Sequence, residues 1–142
     1  MGDTKHSIDV LVAEHDTNQR QAMATAFAQA CPNLLVNFVS NGQEIIDCLQ
    51  NDVLPRLVLV DMQIRDKSAF EILRWINENG WLKRFPVMFV SSAISVIQMD
   101  LLLELGASGC WLKPSDLMAI LSFAETINEY ISAIITLREK MD

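Results

Sequence analysis

Glu14, Asp61, Ser91 and Lys113 share one sequence context: each stands at the carboxyl end of a short apolar run. Val10, Leu11, Val12 and Ala13 precede Glu14, His15 and Asp16. Residues 57–60 precede Asp61, residues 87–90 precede Ser91 and Ser92, and Cys110, Trp111 and Leu112 precede Lys113 and Pro114. Two carboxylates, a hydroxyl and an ammonium in one pocket could hold a hard cation, supply a nucleophile and neutralise an anion. Continuous apolar runs of this length, separated by amphipathic segments of helix length, read as parallel strands covered on both faces. In an open parallel sheet, ligands gather outside the carboxyl ends of the strands. These residues, far apart in the chain, are therefore expected to converge.

The segments between the runs supply the elements that must position them. Asp16 or Thr17 can cap a first helix ending near Ala30, with Ala22, Ala26, Phe27 and Ala30 on its apolar face and Pro32 as the stop. A strand over residues 34–39 follows, and Asn41-Gly42 turns the chain into a short helix bearing Ile45, Ile46 and Leu49. Ser68 and Glu71 have capping-box spacing at the start of a helix bearing Phe70, Ile72, Leu73 and Ile76, and Gly80 is a natural end for it. A helix over residues 96–105, a turn through Gly106-Ala107-Ser108-Gly109, and a last helix from Ser115 or Asp116 to about Lys140 complete the chain. Five strands alternating with five helices make the class α/β.

The 142 residues suit one domain, and 51% hydrophobic composition is too high for a disordered chain. A net charge of −7 argues against general nucleic-acid binding, which needs a basic footprint. No uninterrupted apolar stretch approaches the roughly 18 residues of a membrane span, and the amino terminus carries neither a signal-peptide core nor a myristoylation pattern. A cytoplasmic protein without membrane contact is the expectation. Three cysteines, Cys31, Cys48 and Cys110, form no C-x-x-C pair and no zinc-like spacing, so they read as reduced, mostly buried thiols. No dinucleotide fingerprint, P-loop or catalytic-serine elbow is present, and Asp61-Met62-Gln63 lacks the second aspartate of aspartate-based phosphatases.

Taken in order, Glu14, Asp61, Ser91 and Gly106-Ala107-Ser108-Gly109 leading to Lys113-Pro114 resemble the receiver domains of bacterial two-component response regulators, over roughly residues 9–127. The resemblance implies a flavodoxin-like doubly wound sheet with strand order 2-1-3-4-5. It divides the chain into a flexible N terminus (1–7), a receiver domain (8–128) and an extension of the last helix (129–142). It also implies phosphoryl transfer from a phosphohistidine on a histidine kinase or phosphotransfer protein, followed by contact with a downstream protein target. Such a domain signals and is not an independent enzyme; at most it phosphorylates and dephosphorylates itself. By the same resemblance Asp61 is the phosphoacceptor, Lys113 the cation on the phosphoryl oxygens, and Ser91 the hydroxyl that couples the phosphoryl group to the switch. Glu14, Asp61 and the main-chain carbonyl of Gln63 would hold Mg2+, with His15 or Asp16 as an open further ligand. The alternative is a pseudo-receiver, which keeps the fold and binds partners without phosphorylation.

Three departures bear on that choice. His15 stands where receivers usually carry a second metal-binding acid. Removing one charge about 4 Å from a doubly charged ion forfeits roughly 8 kcal/mol of gross attraction at an effective dielectric of about 20, and water returns much of it. A residual fifth, about 1.6 kcal/mol, weakens Mg2+ more than tenfold; imidazole would instead suit a transition metal. The loop after Asp61 lacks the usual proline and Asp-Gly, so its path is expected to differ. Cys110 occupies the switch position where receivers place a tyrosine or phenylalanine, while Trp111 points to the opposite face.

In the last helix Ile120, Phe123, Ile127, Tyr130, Ile134 and Leu137 form one apolar stripe, and Leu117, Leu121, Ala124, Ile131 and Ile135 a second. If one covers the sheet, the other is exposed, which suggests a homodimer through Phe123, Ile127, Tyr130 and Ile134. The alternative is a single broad core face.

Overall fold

The computed structural model describes residues 6–93 and 95–141. Five strands, β1 (Ile8–Ala13), β2 (Val36–Val39), β3 (Pro55–Asp61), β4 (Val87–Ser91) and β5 (Gly109–Leu112), form one sheet in the order β2-β1-β3-β4-β5. Every pairing is parallel. The helices are α1 (Thr17–Ala30), α2 (Gly42–Gln50), α3 (Ala69–Glu78), α4 (Val96–Glu104) and α5 (Leu117–Met141).

The unbroken apolar runs are explained by cover on both faces. In β3, Val58 and Val60 point to a core shared with Ile45, Leu49, Ile72 and Leu102, from α2, α3 and α4. Leu57 and Leu59 point the other way, to Met23, Phe27, Phe123 and Ile127 of α1 and α5. Side chains alternate across a strand, so a run buried on both faces has no polar position to offer. Each fully buried Leu or Val contributes roughly 1.5–3 kcal/mol.

Local signals set the helix starts. The side chains of Asp16, Asn41, Ser68 and Ser95 cap α1 to α4, each accepting from a backbone N–H three residues on, and Ser68 with Glu71 completes a reciprocal capping box. Asp116 serves α5 through Oδ1, which accepts from Ala119 N–H at 2.8 Å. Gly106 takes φ +113°, the left-handed region that suits glycine, and so lets α4 turn into β5.

Several expectations need adjustment. The second strand begins at Val36 rather than residue 34, and Gly80, at φ +77°, leads into an unanticipated 3₁₀ turn at Trp81–Lys83. In α1 the buried face is Met23, Ala26 and Phe27, with Ala22 half-buried. The expected flexible N terminus lies mostly outside the described residues, and Ser7 already donates its N–H to the Leu54 carbonyl at 2.8 Å.

The α5 stripe read as an exposed contact surface is instead packed into the core. Phe123 is 7% and Ile127 0% exposed, and Tyr130 and Ile134 pack against the same core. Ala124 and Ile131, from the other stripe, are buried beside them. The helix lies against α1 as well as the sheet, so its contact arc is wide enough to bury both stripes as one face. Leu117, Met118 and Leu137 remain exposed. By length and composition residues Leu117–Leu137 could cross a membrane; here the middle of that helix is core.

Candidate functional site

Each functional side chain sits where a buried strand ends and the chain turns toward solvent. Register brings the ends together: Ala13 pairs with Val60, Asp61 with Val90, and Ser91 with Leu112, so Glu14, Asp61, Ser91 and Lys113 fall along one edge of the sheet. Among the described residues, the buried polar or charged ones are Glu14, Asp61 and Ser91, at 1%, 4% and 6% exposure. All three are residues the sequence singled out.

Lys113 is the centre of the arrangement. Its Nζ lies 2.5 Å from Glu14 Oε1 and donates to Asp61 Oδ2, so one ammonium serves two buried carboxylates. The backbone N–H of Lys113 donates to the Ser91 carbonyl at 2.8 Å, which fixes the root of its side chain to β4. The remaining oxygens have separate partners: Asp61 Oδ1 accepts from Gln63 N–H at 2.8 Å, and Glu14 Oε2 from Asp16 N–H at 3.2 Å.

Glu14 and Lys113 each feel opposing influences. Burial pushes the Glu14 carboxyl above its ordinary 4.5, and nearby Asp61 adds to this, against the pull of Lys113 and of Asp16 N–H. Burial alone would lower Lys113, but Asp61 and Glu14 hold its ammonium above the ordinary 10.5.

Other predicted site residues are placed differently. The Ser91 hydroxyl is turned into its own loop: Oγ donates to the Ala93 carbonyl at 2.8 Å and accepts from Ala93 N–H at 3.2 Å. Ser92 instead lines the cavity beside Asp61 and Lys113. The Asp16 carboxylate is committed to the α1 cap, accepting from Gln19 N–H at 2.9 Å, so of the two open ligands His15 is the one beside the carboxylates. Gln63 meets Asp61 through its backbone N–H. Cys110 is half-buried against the α2, α3 and α4 core, where burial pushes its thiol up, while Trp111 on the other face meets Phe123 edge-on at 5.7 Å.

Glu14, His15 and Asp61 each bring one donor atom within 4.8 Å of the others, a set that fits a divalent cation. His15 Nδ1 is buried and has no hydrogen-bond partner among the described residues. A cavity of about 350 Å³ opens beside these groups, with Met23, Leu59, Val90 and Ile120 among its walls.

Sequence reasoning missed two supports. Arg20 Nη1 donates to the Glu14 and His15 carbonyls at 2.9 and 3.3 Å, pinning the loop; its place one turn into a capped helix was the available signal. Asp66 accepts from Gly42 and Gln43 N–H at 2.7 and 2.8 Å, which ties the loop after Asp61 to the start of α2. Burial opposes ionisation of Asp66, yet these bonds hold its carboxyl below 3.8. Without the usual proline and Asp-Gly, that tie defines the loop's course.

The molecule thus joins a 2-1-3-4-5 parallel sheet to a cluster of two acids and a lysine at its carboxyl edge. The profile of the response regulator receiver domain matches residues 10–125. This chain belongs to the response regulator receiver family. The receiver is 28% identical over 91 residues to the polar-differentiation response regulator DivK of Brucella anthropi, covering 64% of this chain and 71% of that protein. It is also 28% identical over 79 residues to the two-component response regulator ORR3 of Oryza sativa subsp. indica, covering 56% and 60%. Among solved structures, the phosphorylated cyanobacterial phytochrome response regulator RcpA matches the receiver with TM-score 0.75 at 23% identity, over 89% of this chain and 94% of that one. The Mn2+-bound form of response regulator Rcp1 matches with TM-score 0.73 at 21% identity, over 87% and 93%. At these identities the structures speak to the fold alone.

Proposed function

We propose that this receiver accepts a phosphoryl group on Asp61 from a phosphohistidine of a histidine kinase or phosphotransfer protein, and signals through protein contact. One observation carries the reading: a carboxylate 4% exposed, lining a cavity, paired through one oxygen with Lys113 and adjacent to Glu14. An Asp61 oxygen attacks phosphorus as the bond to the donor imidazole nitrogen breaks, giving an acyl phosphate and free imidazole. Such transfer depends on positioning and on charge neutralisation. Gln63 N–H orients the Asp61 carboxylate, and Lys113 follows the added negative charge. A divalent cation held by Glu14, Asp61 and His15 would supply the rest of the neutralisation. Protein contact is supported by exposed apolar side chains on α4, β5 and the start of α5, among them Val96, Ile97, Leu112, Leu117 and Met118.

Incubation with a small phosphodonor and divalent cation, followed by intact mass, tests the reading. One added phosphoryl group on the wild type and none on Asp61→Asn is the expected result. The second reading, a phosphorylation-independent module, is favoured by His15 in the place of an acid and by a Ser91 hydroxyl bonded to Ala93. It replaces the first if no donor modifies the wild type while partner binding survives Asp61→Asn.

A further inference from the structure

His15 is the residue by which this site departs most from three-acid chemistry, and its surroundings constrain what it does. Its Nδ1 lies 3.7 Å from Glu14 Oε2, is buried, and has no hydrogen-bond partner among the described residues. Buried polar atoms nearly always have a partner, so this nitrogen calls for one. Arg20 binds the His15 carbonyl, which fixes the backbone from which the ring projects.

The carboxylate oxygens are divided in a way that leaves room for a second cation. Lys113 occupies Glu14 Oε1 and Asp61 Oδ2. Glu14 Oε2 faces His15 at 3.7 Å and accepts from the Asp16 N–H at 3.2 Å, with the Asp61 carboxylate beside it. Asp16, the nearest acid that might restore a third carboxylate, is tied into the α1 cap. An ion about 2.1 Å from each ligand holds neighbouring donors roughly 3.0–3.4 Å apart. The donors of this set lie at most 4.8 Å from one another, so the widest pair has to close by no more than about 1.8 Å.

Two carboxylates with one imidazole are a different ligand set from three carboxylates. Mg2+ favours oxygen donors and gives up its waters reluctantly, so the imidazole adds little to its binding. First-row transition ions accept imidazole readily. The geometry points to His15 Nδ1 as a direct metal ligand that moves this site's preference from Mg2+ to a transition divalent ion; the inference rests on the receiver reading only in taking this pocket as the metal site.

Binding of Mg2+, Mn2+ and Co2+ to the unphosphorylated chain, measured by calorimetry without a phosphodonor, tests it. Co2+ should bind the wild type at least about tenfold more tightly than Mg2+; His15→Ala should lose at least about tenfold in Co2+ affinity with Mg2+ nearly unchanged, and His15→Asp should gain a similar factor for Mg2+. An independent readout needs no variant of the site: Co2+ should produce a hyperfine-shifted imidazole resonance. With two histidines in the chain, His6→Gln assigns that signal, which should persist in His6→Gln. Unchanged Co2+ affinity in folded His15→Ala, no shifted His15 resonance, or no binding of any ion overturns the inference. Phosphoryl uptake, measured separately by mass, keeps the two readings apart. Co2+ on His15 without uptake upholds the ligand and removes the phosphoacceptor; uptake without Co2+ on His15 does the reverse.

Discussion

Replacing Lys113 by Met keeps most of the side-chain stem and removes the one cation shared by Glu14 and Asp61, whose side chains are 2% and 4% exposed. Their donor atoms lie within 4.8 Å, so at an effective dielectric of about 20 their mutual repulsion is about 3.5 kcal/mol. Breaking a buried ion pair by deleting one partner typically costs about 3–5 kcal/mol. Proton uptake limits the damage. Protonating a carboxyl of ordinary pKa 4.5 costs about 1.4 kcal/mol per pH unit above that value, hence about 4 kcal/mol at pH 7.5 and about 1.4 at pH 5.5. Lys113→Met is therefore expected to lose about 3–4 kcal/mol at pH 7.5 and about 1–2 at pH 5.5. Asp61→Asn should behave oppositely, because it leaves Glu14 and Lys113 as a balanced pair and removes a buried charge; neutral to about 2 kcal/mol stabilising is expected. Urea unfolding followed by tryptophan fluorescence, in EDTA at both pH values, measures all three proteins. A deficit under about 1 kcal/mol for Lys113→Met at pH 7.5, or one that does not shrink at pH 5.5, would refute the shared-cation reasoning. So would a larger loss for Asp61→Asn than for Lys113→Met.

Other outcomes follow from the same structure. Ile127→Ala should lose about 2–5 kcal/mol in urea unfolding, as a core truncation, whereas Leu137→Ala, at 61% exposure, should stay within about 0.5; equal effects would contradict the single core face of α5. Gly42→Ala should cost about 1–3 kcal/mol by the same measurement, since an added Cβ would sit 2.9 Å from Ile72 Cδ1 and 3.2 Å from Asp66 Oδ1. At alkaline pH the sign comes from Lys113, whose ammonium is held above 10.5 in the folded state. Its contribution is complete below that value and fades as pH rises through the folded pKa, so the wild type should lose stability above pH 10.5 more steeply than Lys113→Met.

The class and the three buried polar positions were legible in the chain because each rests on local pattern, whereas the strand order came with the family likeness. A run such as Leu57, Val58, Leu59 and Val60 with no polar position tolerates no solvated face, and Asp61 after it marks the strand's carboxyl end. Caps such as Ser68 with Glu71 act over three residues and are read directly. Where each polar group points is a different matter, because it depends on partners distant in sequence or on which nearby group competes for it. Nothing in the sequence distinguishes a Ser91 hydroxyl facing Asp61 from one bonded to Ala93, or an Asp16 at the metal from an Asp16 capping α1. The apolar stripes of α5 show the same division. Their spacing announces an amphipathic helix, but how much of its circumference is buried is set by α1 and the sheet together, and that sum exists only once the chain has folded.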